Sequence, residues 1–160
     1  MHDSSEKYRD AMGQLTWQIH SINVQIEELG RFWAKSLGIS GPQWTIISAL
    51  TDLDKGDGVA VNAVSKKLHV DASFVTTQSK LLEKKGFVRR KTSSEDARVV
   101  KMSLTDKAQK NVARLAVQQE TLHEFIFAEI NSRDLTNLAT HLALLEVRLE
   151  KACLKVVADF

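Results

Sequence analysis

The sequence is poor in the features that mark most specialised protein classes. It holds a single cysteine, Cys153, so no internal disulfide can form, which agrees with a reducing compartment. No apolar run approaches the roughly 18–20 residues that crossing a bilayer requires. The opening "MHDSSEKYRDAMGQ" is polar and lacks the apolar segment of a secretory signal. These absences lead to the expectation of a cytoplasmic protein with no membrane partner. The five histidines, at positions 2, 20, 69, 123 and 141, show no compact ligand spacing, which argues against a metal sensor. No glycine-rich phosphate loop and no nucleophile–base arrangement is visible. The chain therefore reads as neither an enzyme nor a cofactor carrier.

What is present is an ordinary globular composition with an uneven charge. The 160 residues, 43% hydrophobic and 26% charged, suffice for one domain with a core, or for a small domain with helical extensions. The net charge of +2 conceals a basic centre: residues 61–110 hold 12 Lys/Arg against 5 Asp/Glu, a balance of +7, and the remainder carries −5. A basic centre between acidic arms suits a polyanion such as nucleic acid. Charge alone leaves an ordinary solvated surface open as the alternative.

Apolar residues at 15, 19, 22, 26, 29 and 33 recur in alternating steps of four and three, which predicts a long helix with a seam for another helix. It ends near Gly38. Ser40 and Gln43 are spaced as a capping box for a second helix, with Pro42 tolerated in its first turn. "VNAVSKKLHV" predicts a short third helix with Val64 and Leu68 inward and Lys66 and Lys67 outward. After "HVD", Asp71 or Ser73 caps a fourth helix, "ASFVTTQSKLLEKK", which stops at Gly86. Two short helices joined tightly are a helix-turn-helix, whose second helix reads DNA, or an ordinary helical hairpin. The run Thr76, Thr77, Gln78, Ser79 and Lys80 favours the first. Such residues give up helix propensity but offer short hydrogen-bonding groups suited to base edges. Phe74, Val75, Leu81 and Leu82 are left to hold the core.

Beyond Gly86, "FVRRKT" alternates like a strand, and "RVVKMSL" puts Val100, Met102 and Leu104 on one face. "SSEDA" between them makes a hairpin longer than a two-residue turn. Thr105 caps a fifth helix reaching about Ile130, with Asp106 in its first turn. A break at "NSRD" precedes a sixth helix with apolar positions 135, 138, 142, 145, 149, 152 and 156. The expected fold is mainly α with a small β-hairpin, a winged helix-turn-helix with N- and C-terminal dimerisation helices. Residues 38–105 form the DNA-binding domain, and 1–37 with 106–160 the helical dimerisation region.

The helix order, and above all "DASFVTTQSKLLEKKGFVRRKTSSEDARVVKMSLT", resembles the MarR family (multiple antibiotic resistance regulators). The matching positions are Asp71, Ser73, Leu82, Glu83, Gly86, Phe87, Val88, Arg90, Asp96, Arg98, Leu104 and Thr105. The chain departs from the family in "DKAQK", where a glycine is common, in Thr77, often arginine, and in Phe74, often a small hydroxyl residue. Base preference therefore does not carry over.

The resemblance implies a dimeric, sequence-specific regulator, a repressor bound to a near-palindromic double-stranded operator. Ser73, Phe74, Thr76, Thr77 and Lys80 of the reader helix enter the major groove, and Arg98 is the wing contact. Asp96 holds the Arg98 guanidinium in a bidentate pair. Arg89, Arg90 and Lys91 lie near phosphates at the wing base, or form a basic strand edge that resists edge pairing. The resemblance also implies release by a small aromatic acid. Trp17, His20, Ser40, Gln43, Trp44 and Ile47 supply an apolar set with polar handles, Ser40 at a helix N-terminus suited to a carboxylate. The same tryptophans are read alternatively as core and His20 as an ordinary helix histidine. Cys153 is expected as a buried small hydrophobe. Two other classes stay open: a winged-helix protein-interaction module and a ligand-independent architectural DNA-binding protein.

Overall fold

The computed structural model describes residues 2–159, and side chains from 6 to 157; His2 lies outside the latter. The chain divides into two compact units, one running to Leu115 and the other from Ala116 onward.

In the first unit, α1 (His2–Ser36) leads into α2 (Gly41–Leu53). The turn between them is built as the sequence predicts. The Ser40 hydroxyl accepts from the Gln43 amide at 3.4 Å, and the Gln43 side chain accepts from the Ser40 amide at 3.2 Å. Trp44, Ile46, Ile47, Ala49 and Leu50 of α2 are buried together with Trp33, Ala34 and Ile39. They form the centre of the core, and α1 therefore folds with the winged helix through its last turns. Most of the remaining seam of α1, including Leu15, Ile22 and Ile26, stays exposed.

The helix-turn-helix follows as α3 (Val61–Leu68) and α4 (Ala72–Lys84). Val64 is fully buried and Leu68 half-buried. The turn is closed by Ser65, whose hydroxyl donates to the Val70 carbonyl at 2.6 Å while its own carbonyl accepts from the Val70 amide at 3.2 Å. Asp71 occupies the N-cap position of α4 but its carboxylate makes no capping bond. At the other end, the Gly86 amide donates to the Glu83 carbonyl and the Phe87 amide to that of Leu82, both at 2.9 Å. That pairing needs a left-handed residue at Gly86, which has φ 74°.

The hairpin, β2 (Val88–Thr92) and β3 (Val100–Leu104), pairs antiparallel with Val88 opposite Leu104 and Arg90 opposite Met102. The expected hairpin forms, and a third short strand joins it. β1 (Val59–Ala60) pairs with β3, Val59 opposite Met102, giving the order β1-β3-β2. Two residues are too few to show alternation, so only the pairing reveals them. Gly58 makes the approach possible, since a Cβ there would meet the Met102 carbonyl oxygen at 3.2 Å.

α5 (Asp106–Phe127) is capped by Thr105, whose hydroxyl accepts from the Ala108 amide at 3.2 Å and donates to the Gly86 carbonyl at 2.7 Å. It ends three residues before the expected Ile130.

The second unit holds the end of α5 and α6 (Ser132–Asp159). α6 begins inside the expected break because Asn131 caps it. The Asn131 side chain accepts from the Asp134 amide at 3.0 Å and donates to its carboxylate at 2.7 Å. Leu138, Leu142, Leu149 and Val156 of the α6 seam are exposed, as is Phe125 on α5. Cys153 is exposed too, contrary to the expectation of burial, because nothing among the described residues covers its face of α6.

Candidate nucleic-acid interface

The five-residue polar run of α4 does not form one surface. Successive helical residues turn by about 100°, so an unbroken run must wrap around the helix. Ser79 is fully buried, donating its hydroxyl to the Thr76 carbonyl at 3.1 Å, and Thr76 and Gln78 are half-buried. The exposed residues of α4 are Ser73, Phe74, Thr77, Lys80, Leu81, Glu83 and Lys84. Thr77 returns its hydroxyl to the Ser73 carbonyl at 3.0 Å. Phe74 and Leu81, expected in the core, are 38% and 40% exposed, and Val75 and Leu82 alone of that group are buried.

Gln78 points inward to meet Gln43. The buried Gln43 amide approaches the Gln78 carbonyl oxygen at 3.5 Å, and Lys85 donates to Gln43 at 3.3 Å and to the Gly38 carbonyl at 2.9 Å. A polar cluster thus joins the α1–α2 turn to the reader helix.

The three adjacent cations of the wing base separate in the same way. Strand residues alternate faces, so Arg89 and Lys91 lie on the outer face and Arg90 on the inner one with Val88. Arg89 pairs with Asp106 at 2.9 Å. Arg90 donates to the Thr76 carbonyl at 3.0 Å, and its amide donates to Glu83 at 3.1 Å. Lys91 is exposed and stands opposite Lys101, which sequence reading passed over although the inward set Val100, Met102 and Leu104 places it outward.

At the wing tip, residues 94–98 are all exposed. Asp96 braces the turn differently from the expected guanidinium pair. Its carboxylate accepts from the Arg98 amide at 2.9 Å, and its carbonyl accepts from the Val99 amide at 3.0 Å. Among the described residues no ion pair joins it to the Arg98 side chain. An aspartate two residues before an amide closes such a turn by itself, because the short side chain reaches its own backbone. The Arg98 guanidinium is thereby left projecting into solvent.

A reader helix with a polar exposed face, beside a basic hairpin tipped by an arginine, is the arrangement of a winged-helix DNA-binding domain. Residues 42–100 match the family model described as MarR family.

The chain carries a MarR-family domain.

The relatives agree with it. An uncharacterised HTH-type transcriptional regulator of Bacillus subtilis, YdgJ, is 26% identical over 121 residues, spanning 76% of this chain and 70% of that protein. Among solved structures, a MarR/EmrR-family regulator from Acinetobacter superposes with a TM-score of 0.72 at 22% identity, covering 86% of this chain and 96% of the other. The S. aureus MepR–DNA complex superposes with a TM-score of 0.72 at 16% identity, covering 84% and 95%. At these identities the structures establish the fold alone. The family model thus places a MarR-family domain at residues 42–100, and the relatives that match a larger share of the chain are named HTH-type transcriptional regulators. No helix among the described residues is long and apolar enough to cross a membrane.

The residues expected to line an effector site do not gather at one place. Trp17 is 69% exposed and stacks against His20 with ring centroids 5.5 Å apart on the outer part of α1. Ser40 is engaged in its cap, and Gln43 and Ile47 are buried. A groove of about 760 Å³ does open among α1, α2 and the start of α4, lined in part by Ile26, Arg31, Pro42, Trp44 and Phe74. Of the six expected residues, Trp44 lines it; Arg31 and the reader-helix residue Phe74 were not assigned to a pocket from sequence.

Proposed function

We propose that this regulator acts in the cytoplasm as a homodimeric repressor that binds a near-palindromic operator and leaves it when a small aromatic carboxylate binds. The observation that carries the reading is the shared placement of the reader face (Ser73, Thr77, Lys80) and the wing (Lys91, Arg98) on one domain, all with exposed polar groups. The reader face supplies major-groove contacts and Arg98 enters the minor groove, where a weakly hydrated planar guanidinium fits better than an ammonium.

Residues 38–105 carry this surface, and the helices 1–37 and 106–160 carry the dimer. The exposed seams of α1 and α6 support that role, since such stripes are covered by a second copy in water. Two-fold symmetry then sets half-sites about 34 Å apart. The groove supports the effector reading: Trp44 and Phe74 supply aromatic walls, and Arg31 a cation for a carboxylate. Because Phe74 also belongs to the reader helix, an occupant of the groove touches the element that reads DNA.

Footprinting on duplexes selected from a random pool, repeated with a panel of aromatic acids, tests the reading. The expected result is a protected two-fold site, a dimer by light scattering at micromolar concentration, and release by at least one acid. Sequence-tolerant binding without a ligand effect would instead identify an architectural protein, and a DNA-blind, salt-insensitive chain a protein-interaction module.

A further inference from the structure

We infer that Arg90 is a positioning residue, which fixes the wing to the reader helix so that Arg98 meets DNA in register with α4. The inference rests on the DNA-binding reading above, and it withdraws Arg90 from the set of phosphate contacts.

Three observations carry it. First, the pleat sends Arg90 to the inner face of β2, opposite the fully buried Met102 and away from the outward cations Arg89 and Lys91. Second, its guanidinium donates at 3.0 Å to the Thr76 carbonyl, midway along the reader helix, and that oxygen also accepts from the buried Ser79 hydroxyl. Third, β2 is an edge strand, paired with β3 and, among the described residues, with no other strand. An edge strand leaves alternate amides without a ladder partner. The Arg90 amide is met by the Glu83 carboxylate of α4 at 3.1 Å. Side chain and backbone of one residue therefore bridge the wing to the reader helix at two points, about two turns apart along α4.

The wing tip has no comparable attachment among the described residues. Residues 94–98 are exposed, and Asp96 organises the turn only within itself. The position of Arg98 relative to α4 is set at the hairpin base, where Arg90 stands. A guanidinium suits this role because its charge strengthens the bond to a carbonyl, and its planar fork holds a direction that a neutral side chain would not.

Arg90→Met keeps the apolar stem and removes the donors. With a duplex selected from a random pool by the wild-type protein, affinity is expected to fall about 10- to 100-fold, the range for losing a charged hydrogen bond. The deciding measurement is a double-mutant cycle with Arg98→Ala. If Arg90 positions Arg98, removing Arg98 costs less than about threefold in the Arg90→Met background. If the two fold-changes multiply, Arg90 is an independent contact or only a stabilising residue, and the inference is overturned. Hydrogen exchange on the DNA-free protein supplies a second arm. Faster exchange at the Ser93 and Val99 amides, with α2 and α3 unchanged, supports the anchor; unchanged wing exchange overturns it. Should Arg90→Met not fold, Arg90→Lys carries both arms, since its single shorter ammonium lacks the fork. A wild-type protein that selects no duplex refutes the DNA-binding reading, and the exchange arm then still decides the anchor.

Discussion

Lys91 stands directly across the β2–β3 ladder from Lys101, both on the outer face of the wing. Like charges at directly opposed strand positions oppose pairing by about 0.2–1 kcal/mol. Two lysines at opposed strand positions suit a surface whose anion arrives with a partner.

Lys91→Ala should accordingly separate binding from stability. The melting temperature is expected to stay level or rise slightly, while the slope of log affinity against log salt shrinks by about one. Gel-shift titrations at several salt concentrations, beside a melting curve, check both halves. An unchanged slope would remove Lys91 from the phosphate contacts.

Arg98→Ala should weaken specific binding by about 1–3 kcal/mol, the range for one good base contact. Helical content by circular dichroism and the oligomeric state by light scattering should not change, because the exposed guanidinium holds no other element of the fold in place. Asp96→Ala should weaken binding as well, since it opens the turn that presents Arg98. Unchanged affinity in both variants would end the assignment of the wing tip.

Thr105 is the joint between wing and α5, accepting from Ala108 and donating to Gly86 with one hydroxyl. Thr105→Val keeps the shape and removes both bonds. Loss of the cap costs about 1 kcal/mol, and the half-buried Gly86 carbonyl left without its donor adds about 1–3 kcal/mol. Urea unfolding should place the total near 2–4 kcal/mol. A loss below about 1 kcal/mol would mean that water replaces both bonds.

Asp52, at the end of α2, is held below the usual carboxylate range by the hydrogen bond from Lys67 at 2.9 Å and by that ammonium's charge. A carboxyl depressed in the folded state stabilises the fold while it is charged, above its unfolded value. That contribution disappears as pH falls through the folded value. Asp52→Asn should therefore melt slightly lower than the wild type near neutral pH, and the two should converge in acid as the Asp52 carboxyl takes up its proton. Both groups are largely exposed, so added salt should narrow the neutral-pH gap. A gap that survives in strong acid would show that the effect is not this ion pair.

Much of the fold is legible along the chain because its determinants are local. Ser40 with Gln43, Thr105 before Asp106 and Gly86 after α4 mark helix ends through bonds spanning three or four residues, and each cap forms as its spacing requires. The inward triplet Val100, Met102 and Leu104 needs only the period of two. Less legible are the features that depend on what lies opposite. β1 is a strand only because β3 passes beside it, and Phe74 is half out of the core because a groove adjoins it.

The sequence by itself determined the order of the helices and the two hairpin strands, the basic centre and the place of the wing turn, since helix caps, strand periods and short-range turns are written in neighbouring residues. Tertiary structure alone decided which members of each polar run face outward. Of "VTTQSK" it buries Ser79 and turns Gln78 to Gln43, and of "RRK" it turns Arg90 onto Thr76 while Arg89 and Lys91 face solvent. The physical reason is that a run of like residues has no phase of its own. Helix packing and strand register set that phase, and they are contacts between residues far apart in the chain.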